Sequence, residues 1–256
     1  MASGLLRSID FEGDYGRDYR EKIHTWLPGY DLLHETAVTA VQALQADAKS
    51  VLFVGPGPGD EVASVLDVCP EAAVTLVEPS RQMLEVCNKT LAEHAKSRAV
   101  EALQMTIEEA YESTLQGMAF DVVICHAVLH LIEGAAKDRA MQQLASLTAQ
   151  GGLLVISGSC LTDDPVASRT LREVAGQRLL NRGMDPEPAR RCVERPDDVS
   201  CILKPWLDDQ LIPAGFDRPL KLAQVLHHNL WIAQKKRKST RLFPSIWGLA
   251  VARGRR

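Results

Sequence analysis

The stretch "VLFVGPGPGDE", Val51 to Glu61, puts four apolar residues ahead of three glycines at alternate positions, Gly55, Gly57 and Gly59, and then two acids. Such an apolar run reads as a buried strand. The following "DEVASVLDVC" reads as a helix from about Asp60, with acids at its positive end. A loop of glycines lacks Cβ atoms, so it tolerates positive φ and lets a ligand approach the backbone. Pro56 and Pro58 stiffen the same loop. A phosphate, a nucleoside and a plain structural turn would each use it.

Outward from the loop, strands and helices alternate. "AVTLVE" (Ala73 to Glu78) reads as a second strand, and "SRQMLEVCNKTLAEHA" as a helix N-capped by Ser80. "VEALQMT" is a candidate third strand, and "FDVVICHAVLHL" holds a fourth over Asp121 to Cys125. "KDRAMQQLASLTA" is an amphipathic helix that Gly151-Gly152 would close, and "LLVISGS" is a fifth strand. Parallel strands joined by helices have right-handed crossovers and helices on both faces, so the expected fold is a doubly wound α/β sheet. Ligands of such sheets bind beyond the C-terminal strand ends. On the flanks, Pro28-Gly29 separates an aromatic N-terminal segment from a helix over Asp31 to Ala46, while 161–210 reads as irregular helices. "PLKLAQVL" and "SIWGLAVARG" read as strands, and "HHNLWIAQ" is a further candidate.

Glu78 stands 23 positions after Gly55 at the end of the second strand. In a doubly wound sheet an acid there lies beside the glycine loop and accepts hydrogen bonds from a ribose diol, which favours a nucleoside over a bare phosphate. The glycine spacing is GxGxG rather than GxGxxG, and Asp60 replaces the third glycine of the latter, so NAD is disfavoured.

Composition sets outer bounds. The 256 residues are 46% hydrophobic and 24% charged, with net charge −4 and pI near 6.0. That balance suits a globular chain and disfavours nucleic acid as a partner, apart from local basic stretches such as "KKRK" at Lys235 to Lys238 and "RGRR" at Arg253 to Arg256. No signal peptide or membrane-length apolar run is legible. The six cysteines form no CxxC, and no histidine cluster has zinc-finger spacing, so reduced thiols, no metal and a cytoplasmic location are expected.

With these motifs in order across Lys49 to Gly158, the chain resembles the class I S-adenosylmethionine-dependent methyltransferases. The motifs are "VLFVGPGPGDE", "VTLVEPSRQMLEVC", "FDVVICHAVLHLI" and "LTAQGGLLVISG". "WLPGYDLL" and "AGF" add a weaker similarity to small-molecule members, including the carboxy-S-adenosylmethionine synthase branch. The resemblance implies a Rossmann-like, mainly parallel seven-stranded sheet with an antiparallel C-terminal strand. It implies a helical lid over 1–30 and a methyltransferase domain over 31–256, with a substrate-wall insert at about 161–210. S-adenosylmethionine would be the cofactor, S-adenosylhomocysteine the product and a small molecule the acceptor. A homodimer is left open.

By the same resemblance, Gly55, Pro56, Gly57 and Gly59 would hold the methionine end, Glu78 the ribose, and Pro79, Ser80, Met83, Thr106 and Ile107 would border the adenine. His126 would face the sulfonium, and His126 and His130 are the candidate bases. Tyr15, Tyr19, Trp26, Tyr30, His227 and His228 would line the acceptor pocket, while His24, His34 and His94 are expected on helix surfaces. Two positions depart from the family pattern. Phe53 occupies a place usually acidic, and Thr106 a place often Asp, with Glu108 as the nearby substitute. Arg190, Arg191 and Arg195 are candidates for an acidic acceptor, and Arg191 or Arg195 for a carboxylate.

Overall fold

The computed structural model describes residues 11–13, 19–94, 99–160, 162, 164–193 and 201–237, without the side chains of 21, 93, 94 and 191–193. Tyr15, Arg195 and the stretch "SIWGLAVARG" lie outside the described residues, as do the side chains of Arg191 and His94.

Seven strands form one sheet in the order β3-β2-β1-β4-β5-β7-β6. They are β1 (Ser50–Val54), β2 (Ala73–Val77), β3 (Val100–Leu103), β4 (Phe120–His126), β5 (Thr148–Ser159), β6 (Leu220–Val225) and β7 (His228–Gln234). The first five run parallel, and β7 is antiparallel to both its neighbours, β5 and β6. The doubly wound expectation holds, and the hairpin of β6 and β7 completes seven strands before "SIWGLAVARG" begins.

Alternation along each strand divides the core. Val51 and Phe53 of β1 and Val122 and Ile124 of β4 face one apolar cluster, which includes the helices α2 (Tyr30–Gln45), α3 (Asp60–Val68) and α4 (Arg81–His94). Leu52, Val54, Val123 and Cys125 face the other, with α5 (Ile107–Ala110), α6 (Gly134–Leu147) and α9 (Lys204–Leu211). Central strands buried on both faces read as continuous apolar runs, as they must in a parallel sheet covered on both sides. The remaining helices are α1 (Tyr19–Trp26), α7 (Pro165–Asn181) and α8 (Pro186–Val193). No helix among the described residues is long and apolar enough to cross a membrane.

Two element ends differ from the sequence reading. The helix before β5 ends at Leu147, not at Gly151-Gly152, and Thr148 already pairs with Phe120. Gly151, at φ +83, lies instead in an irregularity of β5, where its N–H donates to the Lys235 carbonyl. Lys235, the first residue of the basic stretch, turns to the backbone. Its ammonium donates to the carbonyls of Ala145 and Thr148 at 2.7 and 2.8 Å, closing the end of α6.

Asp121 pins the start of β4 to the start of β1. Its Oδ2 accepts from the Lys49 and Ser50 N–H groups at 2.8 and 3.1 Å and from Ser50 Oγ at 3.3 Å. Hydrogen bonds to a charged group contribute more than neutral ones, so Asp121→Ala is expected to cost about 1–3 kcal/mol in urea unfolding. Asp121→Asn, which keeps one acceptor oxygen, is expected to cost less. Equal losses would mean that the carboxylate charge contributes nothing.

Candidate functional site

The strand order reverses between β1 and β4, and the loop after β1 opens into that crevice. Gly55, Gly57 and Gly59 all have positive φ, at 68°, 55° and 82°. At Gly55 the requirement is also steric, because a Cβ would lie 2.3 Å from Val128 Cγ2. At Gly57 a Cβ would meet only Tyr19, at 3.9 Å or beyond, so the backbone is open there to a ligand. Gly59 is the N-cap of α3.

Glu78, just past β2, is buried. Its carboxylate accepts from the Ser80 N–H at 3.0 Å and faces the Gly57 N–H, so one side chain stands between the strand end and the glycine loop. Burial pushes its pKa up to about 7, against the lowering effect of those two donors. A carboxylate offers about four acceptor positions, which leaves room for a diol beside the two N–H groups. Pro79 is exposed next to it, and Met83 is buried. The Ser80 hydroxyl accepts from the Met83 N–H, capping α4 as the sequence suggested, and donates to the Phe11 carbonyl.

Thr106 and Ile107 do not end a strand. β3 stops at Leu103, and Thr106 N-caps α5 in a reciprocal box with Glu109. The "TIEE" spacing carries that signal in the sequence. Glu108, the suggested substitute for an adenine-binding acid, is paired instead with Arg139 at 2.8 Å.

His126 is the last residue of β4 and is buried. It shares the face of Phe53 and Ile124 and meets α2 and α3 there. Its ring centroid is 5.2 Å from that of His34, and its Nδ1 is 3.3 Å from Glu61 Oε2. His34 is therefore not a surface residue. It faces the core four residues after Tyr30, whose ring lies 4.1 Å away. Tyr30 itself is buried in the core rather than displayed over a pocket. Glu61 was missed because an acid in a first helical turn normally points to solvent. Burial raises its pKa to about 8 and holds His126 well below the usual imidazole range.

A second histidine group stands at the same end of the sheet. His130 and His228 have ring centroids 6.4 Å apart, and His227 and His228 4.4 Å apart. Burial lowers the pKa of both His227 and His228, and neighbouring cations add to this. Gly158 makes room for the group, since a Cβ there would lie 3.0 Å from His130 Nδ1. Two non-glycine residues with positive φ adjoin the two groups, Ala127 after His126 and Leu226 before His227, both at 54°. Such backbone costs about 1–3 kcal/mol and clusters at functional sites.

Helix α1 leans on the loop. Arg20 reaches Asp60 at 2.6 Å, Thr90 Oγ1 at 2.7 Å and the Pro58 carbonyl at 3.4 Å. This contact, absent from the sequence reading, pairs the Asp60 charge, so the case against a pyrophosphate rests on glycine spacing rather than on that acid. Tyr19 lies near Gly57, and Trp26 is half-buried at the end of α1.

Residues 52–154 match the family model of a methyltransferase domain. A malonyl-[acyl-carrier protein] O-methyltransferase from Halalkalibacterium halodurans is 29% identical over 111 residues, which are 43% of this chain and 39% of that relative. The match thus spans about two fifths of that relative's length. Among solved structures, an O-methyltransferase family protein from Burkholderia thailandensis has TM-score 0.62 at 20% identity, over 91% of this chain and 66% of that one. A magnesium protoporphyrin IX methyltransferase from Synechocystis, with bound S-adenosylhomocysteine, has TM-score 0.62 at 16% identity, over 89% and 97%.

Because the folded pKa of Glu78 lies above its ordinary 4.5, its contribution to stability is fully present below that pH and is lost as pH rises to about 7. Urea unfolding of ligand-free wild type and Glu78→Gln at about pH 4.5 and about pH 7.5 is expected to show the larger loss in wild type. Equal losses would mean that Glu78 ionises as readily folded as unfolded.

Proposed function

We propose, for a chain that carries the class I S-adenosylmethionine-dependent methyltransferase fold and a methyltransferase domain, that it transfers a methyl group from S-adenosylmethionine to a small-molecule acceptor. The observation that carries this reading is the buried Glu78 facing the Gly57 N–H at the point where the strand order reverses. The residues fit the cofactor. An open backbone at Gly57 and free acceptor positions on Glu78 sit side by side, and a Cβ at Gly55 would displace Val128 into the crevice.

In this reading Gly55, Pro56, Gly57 and Gly59 hold the methionine end and Glu78 the ribose, with Pro79, Ser80, Met83, Thr106 and Ile107 on the adenine side. Bound S-adenosylmethionine supplies an electrophilic methyl group on a sulfonium whose leaving group is a neutral thioether. The chain's own work is then to position and desolvate. The acceptor atom attacks in line, its bond to the methyl carbon forming as the carbon–sulfur bond breaks. Where that atom carries a proton, a base must take it, a role a neutral imidazole can fill. His130 and His228 stand at the strand ends for that role, and burial keeps His228 in the unprotonated form. His126, at the end of β4, would face the sulfonium and is the other candidate base. Helix α1, the described part of the proposed lid, would cover the crevice, and Arg20 fastens it to the glycine loop. Two of the relatives are named O-methyltransferases, which makes oxygen the first acceptor atom to screen. The carboxy-S-adenosylmethionine synthase reading needs an arginine for a carboxylate, and the side chains of its two candidates, Arg191 and Arg195, lie outside the described residues. Arg190, a candidate only for an acidic acceptor, is paired with Glu187 at 2.9 Å.

Calorimetric titration tests the assignment. S-adenosylmethionine and S-adenosylhomocysteine are expected to bind with Kd values on the order of micromolar, and NAD not to bind. Glu78→Ala is expected to weaken binding at least about tenfold, roughly 1.4 kcal/mol. Tight NAD binding, or no binding of either sulfur compound, would remove the reading. With binding established, His130→Ala is expected to lower kcat on a protonated acceptor more than it raises KM.

A further inference from the structure

The spacing of histidines and cysteines along the chain suggested no metal, yet three donors from three separate elements converge. His34 comes from α2, Glu61 from the first turn of α3 and His126 from the end of β4. One donor atom from each lies within 4.8 Å of the other two. The geometry points to a divalent-metal site of zinc chemistry at His34, Glu61 and His126, open at its fourth position.

Three observations carry this. First, Glu61 Oε1 and both ring nitrogens of His126 are buried without a hydrogen-bond partner. Buried polar groups are nearly always satisfied, so three orphans in one contact call for an occupant. Second, one donor pair already stands at the spacing a metal would set, and the third donor lies within 4.8 Å of both. Tetrahedral zinc, with bonds of about 2.1 Å to nitrogen and oxygen, holds its ligands about 3.4 Å apart. His126 Nδ1 stands 3.3 Å from Glu61 Oε2 without the alignment of a hydrogen bond. Third, the donor set is a known kind: two imidazoles and one carboxylate leave zinc a fourth, exchangeable position. Charge agrees. Burial keeps both imidazoles in the neutral form that ligates, and a dication would balance an ionised Glu61 that the apolar surroundings otherwise disfavour. Tyr30, packed against His34, fixes the ring that α2 delivers. With the metal in place His126 is a ligand, and proton transfer falls to the His130–His228 group.

The test uses the full, tag-free chain, dialysed against chelator. Zinc titrated by calorimetry is expected to bind at one equivalent with micromolar or tighter affinity. Cobalt(II) should give the intense visible bands of a tetrahedral site, bleached by added zinc. Glu61→Gln and His34→Ala should each weaken zinc binding at least tenfold, while metal-free thermal melts check that both variants fold. Failure of wild type to bind either metal would overturn the site. So would wild-type affinity in both folded variants, which would place the metal on surface histidines. Titration with S-adenosylhomocysteine is read separately, so loss of the cofactor assignment and loss of the metal site are distinguishable.

Discussion

The backbone at Gly55 is the constraint on which the rest of the structure turns. Its φ of +68° bends the chain from the end of β1, and its missing Cβ leaves the space that Val128 occupies. Its N–H donates to the Val77 carbonyl at 2.8 Å, so the bend stays registered on β2. From that one turn follow the placement of Gly57 beside Glu78, the start of α3 at Asp60 and the closeness of the β4 loop. A side chain at Gly55 would be strained by its backbone and would also drive the β4 loop away. Two costs at one atom make the position intolerant in a way that a glycine in open space, such as Gly117, is not.

Polar chemistry gathers in two groups at one end of the sheet. On the side of α2 and α3, Glu61 and His126 are buried and His34 is half-buried beside them, and their pKa values move towards the uncharged forms. Beyond β5, His130, His227 and His228 gather over Gly158 against the cationic α7. Ala127 and Leu226 hold positive φ beside the two groups. Strained backbone persists only where surrounding contacts fix it. Here the fixed points include the Ala127 N–H on the Ser157 carbonyl and the Cys160 N–H on the His227 carbonyl. The sheet thus stiffens the side chains nearest the crevice.

Electrostatics around the loop is set by pairing rather than by net charge. Asp60 sits at the positive end of α3 and also receives Arg20, while Glu108 and Arg139 meet on the surface. Exposed pairs of this kind contribute little to stability. Arg20 matters through geometry: its contacts with Asp60, Thr90 and the Pro58 carbonyl join α1, α4 and the loop in one place, so movement of α1 is coupled to the loop that the proposed cofactor would occupy.

The sequence by itself determined the sheet. Apolar runs bounded by glycine, capping residues and helical periodicity are local signals, and β1, β2, β4, α3 and α4 fall where those signals put them. It also marked Gly55, Gly57, Gly59 and Glu78, because a turn and the acid that follows it are fixed by a single βαβ unit. The box at Thr106 is also a four-residue signal, though the strand reading of "VEALQMT" ran over it. What only the tertiary structure decided is which polar side chains point inward together. Glu61 is one of two adjacent acids, and nothing local distinguishes it from Asp60. His34 sits on a helix whose buried stripe depends on how α2 docks against α3 and β4. Arg20 meets its partners across long separations in the chain. These meetings depend on packing between elements distant in sequence, where the direction of each side chain follows from burial of its neighbours rather than from the residues beside it.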